Sequence, residues 1–440
     1  MKKTIITGKF LLATILFVFI IGCSLNKSPE EKVSISILYS SLSEFKNDVG
    51  DSIDEKFDDV NIRVIEYKSV LGEGMWNDFE YVPVSGGDWD VKSLIDLINK
   101  EKPDIIYFPA SIFSVFINEN MLQDVTDYSK TNSEVSGIDP VILEAMQTMG
   151  DGRIYFLPDS MASQAVYYNK DIFLEYGISE PADFMSWDDL FELSSKIAQQ
   201  GVQDNISGLQ TPNYSLVDIF LQIGKQNGLS WYDSNKNKAF FSSESWKNVL
   251  GLVIQKYKLD SKTQISDKRS SELFIDGKTA MVLDTFRLRD ELVNHQEMNW
   301  SVVTQPVGEF LTDSSSSLAF QYLNGIYNQT PQSDKSREIW SYLNSEEISR
   351  NKHNANMFRY TLPVRSNLIS DSDMRNLAAF YKLKPMVTSA SRENDLPIAS
   401  ENAVKLYLFD QMQKIIKEEI SIDEATSLWE VEVPAILMKK

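Results

Sequence analysis

The chain has 440 residues, with 43 Lys and Arg against 63 Asp and Glu, two His and one Cys, for a formal net charge of −20. That balance argues against a nucleic-acid partner, whose phosphates need a basic face, and a single cysteine excludes an intramolecular disulfide, so stability has to come from a buried core. His295 and His353 belong to no ligand spacing, so neither a metal nor a cofactor is expected.

The chain opens with Lys2, Lys3 and Lys9 around an apolar run over residues 10–21. As a helix this run rises only about 18 Å, too short for a hydrocarbon slab of ~30 Å. Basic start, short apolar core and small residue at the end predict an export signal over residues 1–22. The junction Ile20-Ile21-Gly22-Cys23 resembles the lipobox of bacterial lipoproteins, which implies cleavage before Cys23 and a lipid such as palmitate on its thiol. Removing residues 1–22, which hold those three lysines and no acid, takes the formal charge from −20 to −23. Residues 23–32 are polar and unpatterned and are expected to be a tether. No later stretch reaches eighteen uncharged apolar residues, so the body is not expected to cross a membrane.

After the tether, "KVSISILYS" and "NIRVIEY" (61–67) alternate as strands do, separated by a helix over 45–57. Residues 70–87 are expected to be a loop. "DVKSLIDLINK" (90–100) predicts a helix, "PDIIYF" (103–108) a buried strand and "SIFSVFINENM" a further helix. This alternation predicts an α/β fold with a largely parallel sheet. "RIYFLP" and "AVYYNK" add strands from 153 onward. Ser186 and Asp189 predict a capping box opening a helix that stops at Gly201. In "SSESWKNVLGLVIQKYKLD", Trp246, Val249, Val253 and Tyr257 fall on one stripe, the pattern of a core face. Strands return at 279–285 and 300–307, "SSSS" (314–317) is expected to be a loop, and from 334 onward the chain is mainly helical, with Pro434 expected to end or kink the last helix. The return from helices to strands and back predicts two lobes joined by several crossings, hence a hinge and an interlobe cleft.

No Walker loop, Gly-x-Gly-x-x-Gly or Gly-x-Ser-x-Gly is present, so the motifs of nucleotide binding and serine-hydrolase chemistry are missing. With 63 acids, some paired carboxylates are inevitable, and their number says nothing about glycoside hydrolysis.

The segments "GRIYFLPDSMASQAVYYNKDIFLEYGI" (152–178), "SWDDLFELSSKI" and "LFIDGKTAMVLD" (273–284) resemble, in order and spacing, the extracellular solute-binding proteins of ABC importers, specifically the maltose-binding-like carbohydrate group. The resemblance runs from about Val33 to the "ISIDEA" at 420–425. It implies a bilobal, periplasmic-binding-protein-like fold without catalysis, with lobe one over 33–160 and 284–328 and lobe two over 161–283 and 329–440. It further implies a monomer, lipid-anchored on the outer face of a cell membrane, that captures a carbohydrate in the cleft and delivers it to an ABC permease.

The same resemblance suggests the ligand contacts. They are Ser41 after the first strand, Phe108 and Ser111 after "PDIIYF", Met161 and Ser163 in the crossing where relatives carry an acid, Tyr214 and Trp231 around a cleft helix, and Tyr322 in a glycine-aromatic stretch. Phe286 and Arg287 stand where relatives place a stacking tryptophan. A guanidinium there, with one acid lost, suits an acidic sugar such as a uronate, or else forms a salt bridge to Asp284 or Asp290. Two other roles stay open, a surface carbohydrate-active enzyme and a receptor presenting its ligand to a sensor kinase. A polyamine is a further possible ligand.

Overall fold

The computed structural model describes residues 32–72, 74–77, 80–83, 89–212, 215–260, 269–354, 361–371, 374–387 and 398–438. Cys23 and Tyr214 lie outside them. Two sheets organise these residues. The first has five strands in the order Val60–Glu66, Val33–Tyr39, Ile105–Pro109, Tyr322–Ile326, Phe156–Pro158. Its first three strands are parallel, whereas Tyr322–Ile326 runs antiparallel to both neighbours. The second sheet has the order Trp300–Thr304, Gln164–Asn169, Thr279–Thr285, Ser207–Gln210, and only its last pair is parallel. Both sheets are thus mixed rather than largely parallel, because strands arriving late in the chain insert from the opposite direction.

The alternation in "KVSISILYS" predicts one covered face, yet Ile35, Ile37 and Leu38 are all fully buried. Helices cover both faces, as expected of a central strand in an α/β layer. Around this sheet packs one core, with Phe45, Val49, Leu94, Ile98, Phe116 and Trp340. A second core gathers Trp187, Phe220, Phe241, Trp246, Leu408 and Trp429 around one face of the second sheet. The helices Ser333–Leu343 and Glu346–Asn354, expected with lobe two, pack into the first core through Ile339, Trp340 and Ile348. They follow directly on the inserted strand Tyr322–Ile326, and Trp340 donates from its indole to Asn324 O of that strand at 3.3 Å.

Three short strands, Ala319–Phe320, Ser160–Ala162 and Leu362–Pro363, form a separate sheet whose Phe320, Met161 and Leu362 pack into the first core. Ser160–Ala162 and Ala319–Phe320 sit where the chain passes from one large sheet to the other, which is the connectivity of a hinge, whereas after Leu362–Pro363 the chain stays with the first core through Val364 and Leu377–Tyr381.

Local signals set the helix ends. Ser186 and Asp189 form the expected capping box of Trp187–Gln200, and Ser215 and Asp218 repeat it at Leu216–Gln226. Gly224 lets this second helix approach Glu244–Asp260, since a Cβ there would fall 2.0 Å from the Trp246 ring. On that neighbouring helix Trp246, Val249 and Val253 are buried, but Tyr257 is exposed, because it falls at the fraying end of the stripe.

Several local expectations fall differently. Within 70–87 the backbone forms a hairpin, Gly74–Asn77 against Glu80–Pro83, with Trp76 opposite Tyr81. Ser314–Ser315 of the serine run pairs with Lys384–Pro385. Helix Ile422–Met438 continues through Pro434. Both Pro434 and Val433 are buried, so packing outweighs the lost amide hydrogen bond. No helix among the described residues is long and apolar enough to cross a membrane.

Candidate functional site

The carboxyl ends of the parallel strands in the first sheet open onto a cavity of about 290 Å³. Such ends are where α/β sheets accept ligands, because the loops leaving them diverge. Tyr39 and Ser40 close the first strand, Tyr67 follows the second, and Tyr107 stands near the end of the third. Asp159, Ser160, Gln321, Tyr322 and Thr361 come from the borders of the three-stranded crossing. The cavity therefore adjoins the hinge.

Acidic groups enter from the helical segment after the first strand. Ser41 caps helix Leu42–Phe45 by accepting from Glu44 N at 3.2 Å. The helix then widens into a π turn over Lys46–Gly50, a form often found at functional sites. Phe45 and Val49 bury one side of this segment, leaving Glu44 and Asp48, four residues apart, on the cavity wall. From the opposite side comes Lys352. It lies four residues after buried Ile348 on Glu346–Asn354, so the stem enters the core and the ammonium emerges at the cavity.

The polar contacts are specific. Lys352 Nζ meets Asp159 Oδ2 at 3.1 Å, with side-chain exposures of 5% and 17%. Glu44 accepts from Ser40 Oγ and pairs with Lys68 at 3.4 Å. Tyr39 donates its hydroxyl to Asp48 Oδ2 at 2.6 Å. Asp48 has no cation within ion-pair distance among the described residues. Burial pushes its carboxyl above the usual range, against the pull of Lys352 and the Tyr39 hydroxyl and with a further push from Asp159 and Glu44. Tyr107 packs its ring 4.8 Å from that of Tyr39. Although Tyr107 is only 3% exposed, its hydroxyl finds no hydrogen-bond partner among the described residues. Leaving such a group unsatisfied costs roughly 1–3 kcal/mol. Burial, followed by the charges of Asp159 and Asp48, raises this phenol well above its ordinary pKa, so it remains a proton donor.

A larger hollow of about 450 Å³ beside Arg289, His295 and Arg375 has a different character. Its Arg375 donates to Trp300 O at 2.7 Å, and Asp371 accepts from Arg375 N and Leu377 N. These bonds tie a chain segment to the second sheet. Among the described residues no group of three His, Cys, Asp or Glu is placed to hold a metal ion.

Of the residues suggested by the sequence, Tyr322 lines the cavity and Ser41 caps the helix that carries Glu44. Phe108 is fully buried and stacked on Phe116 at 4.1 Å, and Met161 is fully buried in the crossing strand. Ser163 donates to Phe380 O at 3.0 Å, while Phe286 packs edge-on to Phe380 at 5.3 Å. These four are interior residues. Ser111 accepts from the Trp89 indole at 3.0 Å, and Trp231 packs against Phe241 of the second core. Arg287 is exposed and meets Glu291 at 3.8 Å. The sequence reading missed Glu44, Asp48, Asp159 and Lys352. Strand-end position was an available signal for Tyr39 and Tyr107, whereas Lys352 is brought in from 193 residues beyond Asp159 and carried none.

A family of bacterial extracellular solute-binding proteins matches residues 78–380. The chain belongs to this family. Among its sequence relatives, the sn-glycerol-3-phosphate-binding periplasmic protein of Escherichia coli (strain K12) is 20% identical over 278 residues, 61% of this chain and 62% of that protein. A relative from Brucella abortus (strain 2308) is 29% identical over 146 residues, 31% of this chain and 32% of its own length. The alignments thus span less than two thirds of either relative. The fold is matched by the sugar-binding protein MalE of Xanthomonas citri, with TM-score 0.64 at 16% identity over 92% of this chain and 98% of that one. A sugar transporter structure from Rhizobium etli in an open conformation gives TM-score 0.61 at 16% identity, over 93% and 100%. The bilobal α/β architecture is therefore that of a solute-binding protein.

Proposed function

We propose that this solute-binding protein captures a carbohydrate in the cavity beside the hinge and delivers it to an ABC permease, held to the outer face of the cell membrane through a lipid on Cys23. The observation that carries the ligand class is the cavity itself, where tyrosine rings adjoin closely spaced hydrogen-bonding groups. Rings cover apolar sugar faces while carboxylates, amides and hydroxyls take the sugar hydroxyls. The sugar-binding proteins that share the fold support the same reading. Lobe one then comprises the first sheet with helices 333–354, lobe two the second sheet with the C-terminal helices, and the strands at 160–162 and 319–320 bend between them. A ligand touching both lobes favours the closed form by its difference in affinity for the two states.

The test is a thermal-shift screen of full-length protein in detergent against neutral, amino and acidic oligosaccharides, with each sugar recovered afterward. A sugar at 100 times its dissociation constant should stabilise the protein by about 2.7 kcal/mol, worth several degrees, and come back intact. Uptake of the same sugar should be lost on deleting the gene. No shift with any carbohydrate, or breakdown of the sugar, would overturn the reading.

A further inference from the structure

We propose that the sugar taken by this site carries a protonated amine, as a glucosamine-type unit does, and that Asp48 and Tyr107 are the groups that select it. The inference rests on the carbohydrate reading above and narrows it to one charge class.

Charge pairing within the cavity leads to this class. The wall presents three carboxylates, Glu44, Asp48 and Asp159, and one ammonium, Lys352. Lys352 is taken by Asp159, and Glu44 has Lys68 at 3.4 Å. Among the described residues Asp48 keeps only a neutral donor, the Tyr39 phenol, which occupies one of its oxygens. A half-buried carboxylate supplied this way has its second oxygen available and no cation within ion-pair distance among the described residues, so a cation arriving from outside gains more there than a neutral hydroxyl would.

The Tyr107 hydroxyl supplies the independent observation. It is buried, lines the same cavity and has no partner among the described residues. Its ring packs 4.8 Å from that of Tyr39, whose hydroxyl is bonded to Asp48, so the phenol and that carboxylate are neighbours on the cavity wall. A phenol offers lone pairs to an ammonium and a proton to an adjacent sugar hydroxyl. One amine with a neighbouring hydroxyl therefore satisfies both unmet groups at once. An N-acetylated or neutral sugar brings Asp48 no cation. A uronate would bring a fourth carboxylate to a wall whose single lysine is already paired, and exposed Arg287 with its Glu291 contact is not among the cavity's lining groups.

Isothermal titration of the full-length protein in detergent at neutral pH, with glucosamine oligomers, their N-acetylated counterparts, uronate oligomers and spermidine, tests the assignment. The amino sugar is expected to bind at least tenfold tighter than its N-acetylated counterpart, with spermidine weaker because it brings no hydroxyls. Asp48→Asn should erase that preference while the N-acetylated sugar still binds, and Tyr107→Phe should weaken both sugars severalfold. Arg287→Ala should change neither. Equal or tighter binding of the N-acetylated or uronate oligomer would overturn the amine assignment while leaving carbohydrate capture intact. Binding of spermidine alone, or of no sugar, would overturn both. The wild-type selectivity decides the matter even if a variant fails to fold.

Discussion

The first sheet holds two carboxylates in contrasting settings. Asp104, immediately before strand Ile105–Pro109, is buried and accepts from Ser36 N at 2.7 Å, from Ser36 Oγ at 2.8 Å and from Thr330 Oγ1. Asp48, at the opposite end, has one phenolic donor and a cavity. Both are aspartates packed about one sheet, Asp104 at a strand end and Asp48 on the helical segment beside it, yet the first fastens Val33–Tyr39 to Ile105–Pro109 and the second is left unfinished. A completed set of donors makes a carboxylate structural, and an incomplete set makes it a place for a ligand.

Breaking the fastened end should have the largest effect. Asp104→Ala strips three donors of a shared acceptor and should cost about 3 kcal/mol or more, seen as a lower denaturation midpoint, with ligand affinity of the folded fraction unchanged. Lys352→Ala should come next. It leaves Asp159 without its cation at a nearly buried site, which costs about 3 kcal/mol, and here ligand titration should change as well, because the cavity becomes still more acidic.

Asp48→Asn should separate stability from binding. Because burial raises the Asp48 carboxyl above 3.8 in the folded state, the native protein binds more protons than the unfolded chain between 3.8 and that raised value. The wild type therefore loses stability as pH rises through this window, and the variant should lose that part of the slope. Tyr39, Lys352, Asp159 and Glu44 face Asp48 and remain in both proteins, so paired melts across acidic pH isolate its share. The smallest change should come from Tyr107→Phe, which removes an unpartnered buried hydroxyl and should raise stability by up to about 1 kcal/mol. A loss of stability would mean that the phenol is a fastener like Asp104.

Much of the fold was legible in the chain. The alternation in "KVSISILYS", the apolar run "PDIIYF" and the capping box at Ser186 are each written in neighbouring residues, and local signals need no distant partner. Mixed strand direction was less legible, since Tyr322–Ile326 enters the first sheet more than 200 residues after Ile105–Pro109. The site was least legible. The family resemblance offered Phe108 as a contact, but it is fully buried and stacked on Phe116. Arg287 stood open between a contact to an acidic sugar and a salt bridge, and Glu291 on the next turn meets it at 3.8 Å.

By itself the sequence determined the elements, their caps, the absence of disulfide chemistry and the family pattern of a two-lobed binding protein, because period, composition and short motifs act over one or two turns. Only the tertiary structure decided which polar groups remain unsatisfied. Asp48 and Tyr107 lie 59 positions apart in the chain and Lys352 follows Asp159 by 193. Whether each finds a partner depends on which strands and helices deliver their ends to one cavity.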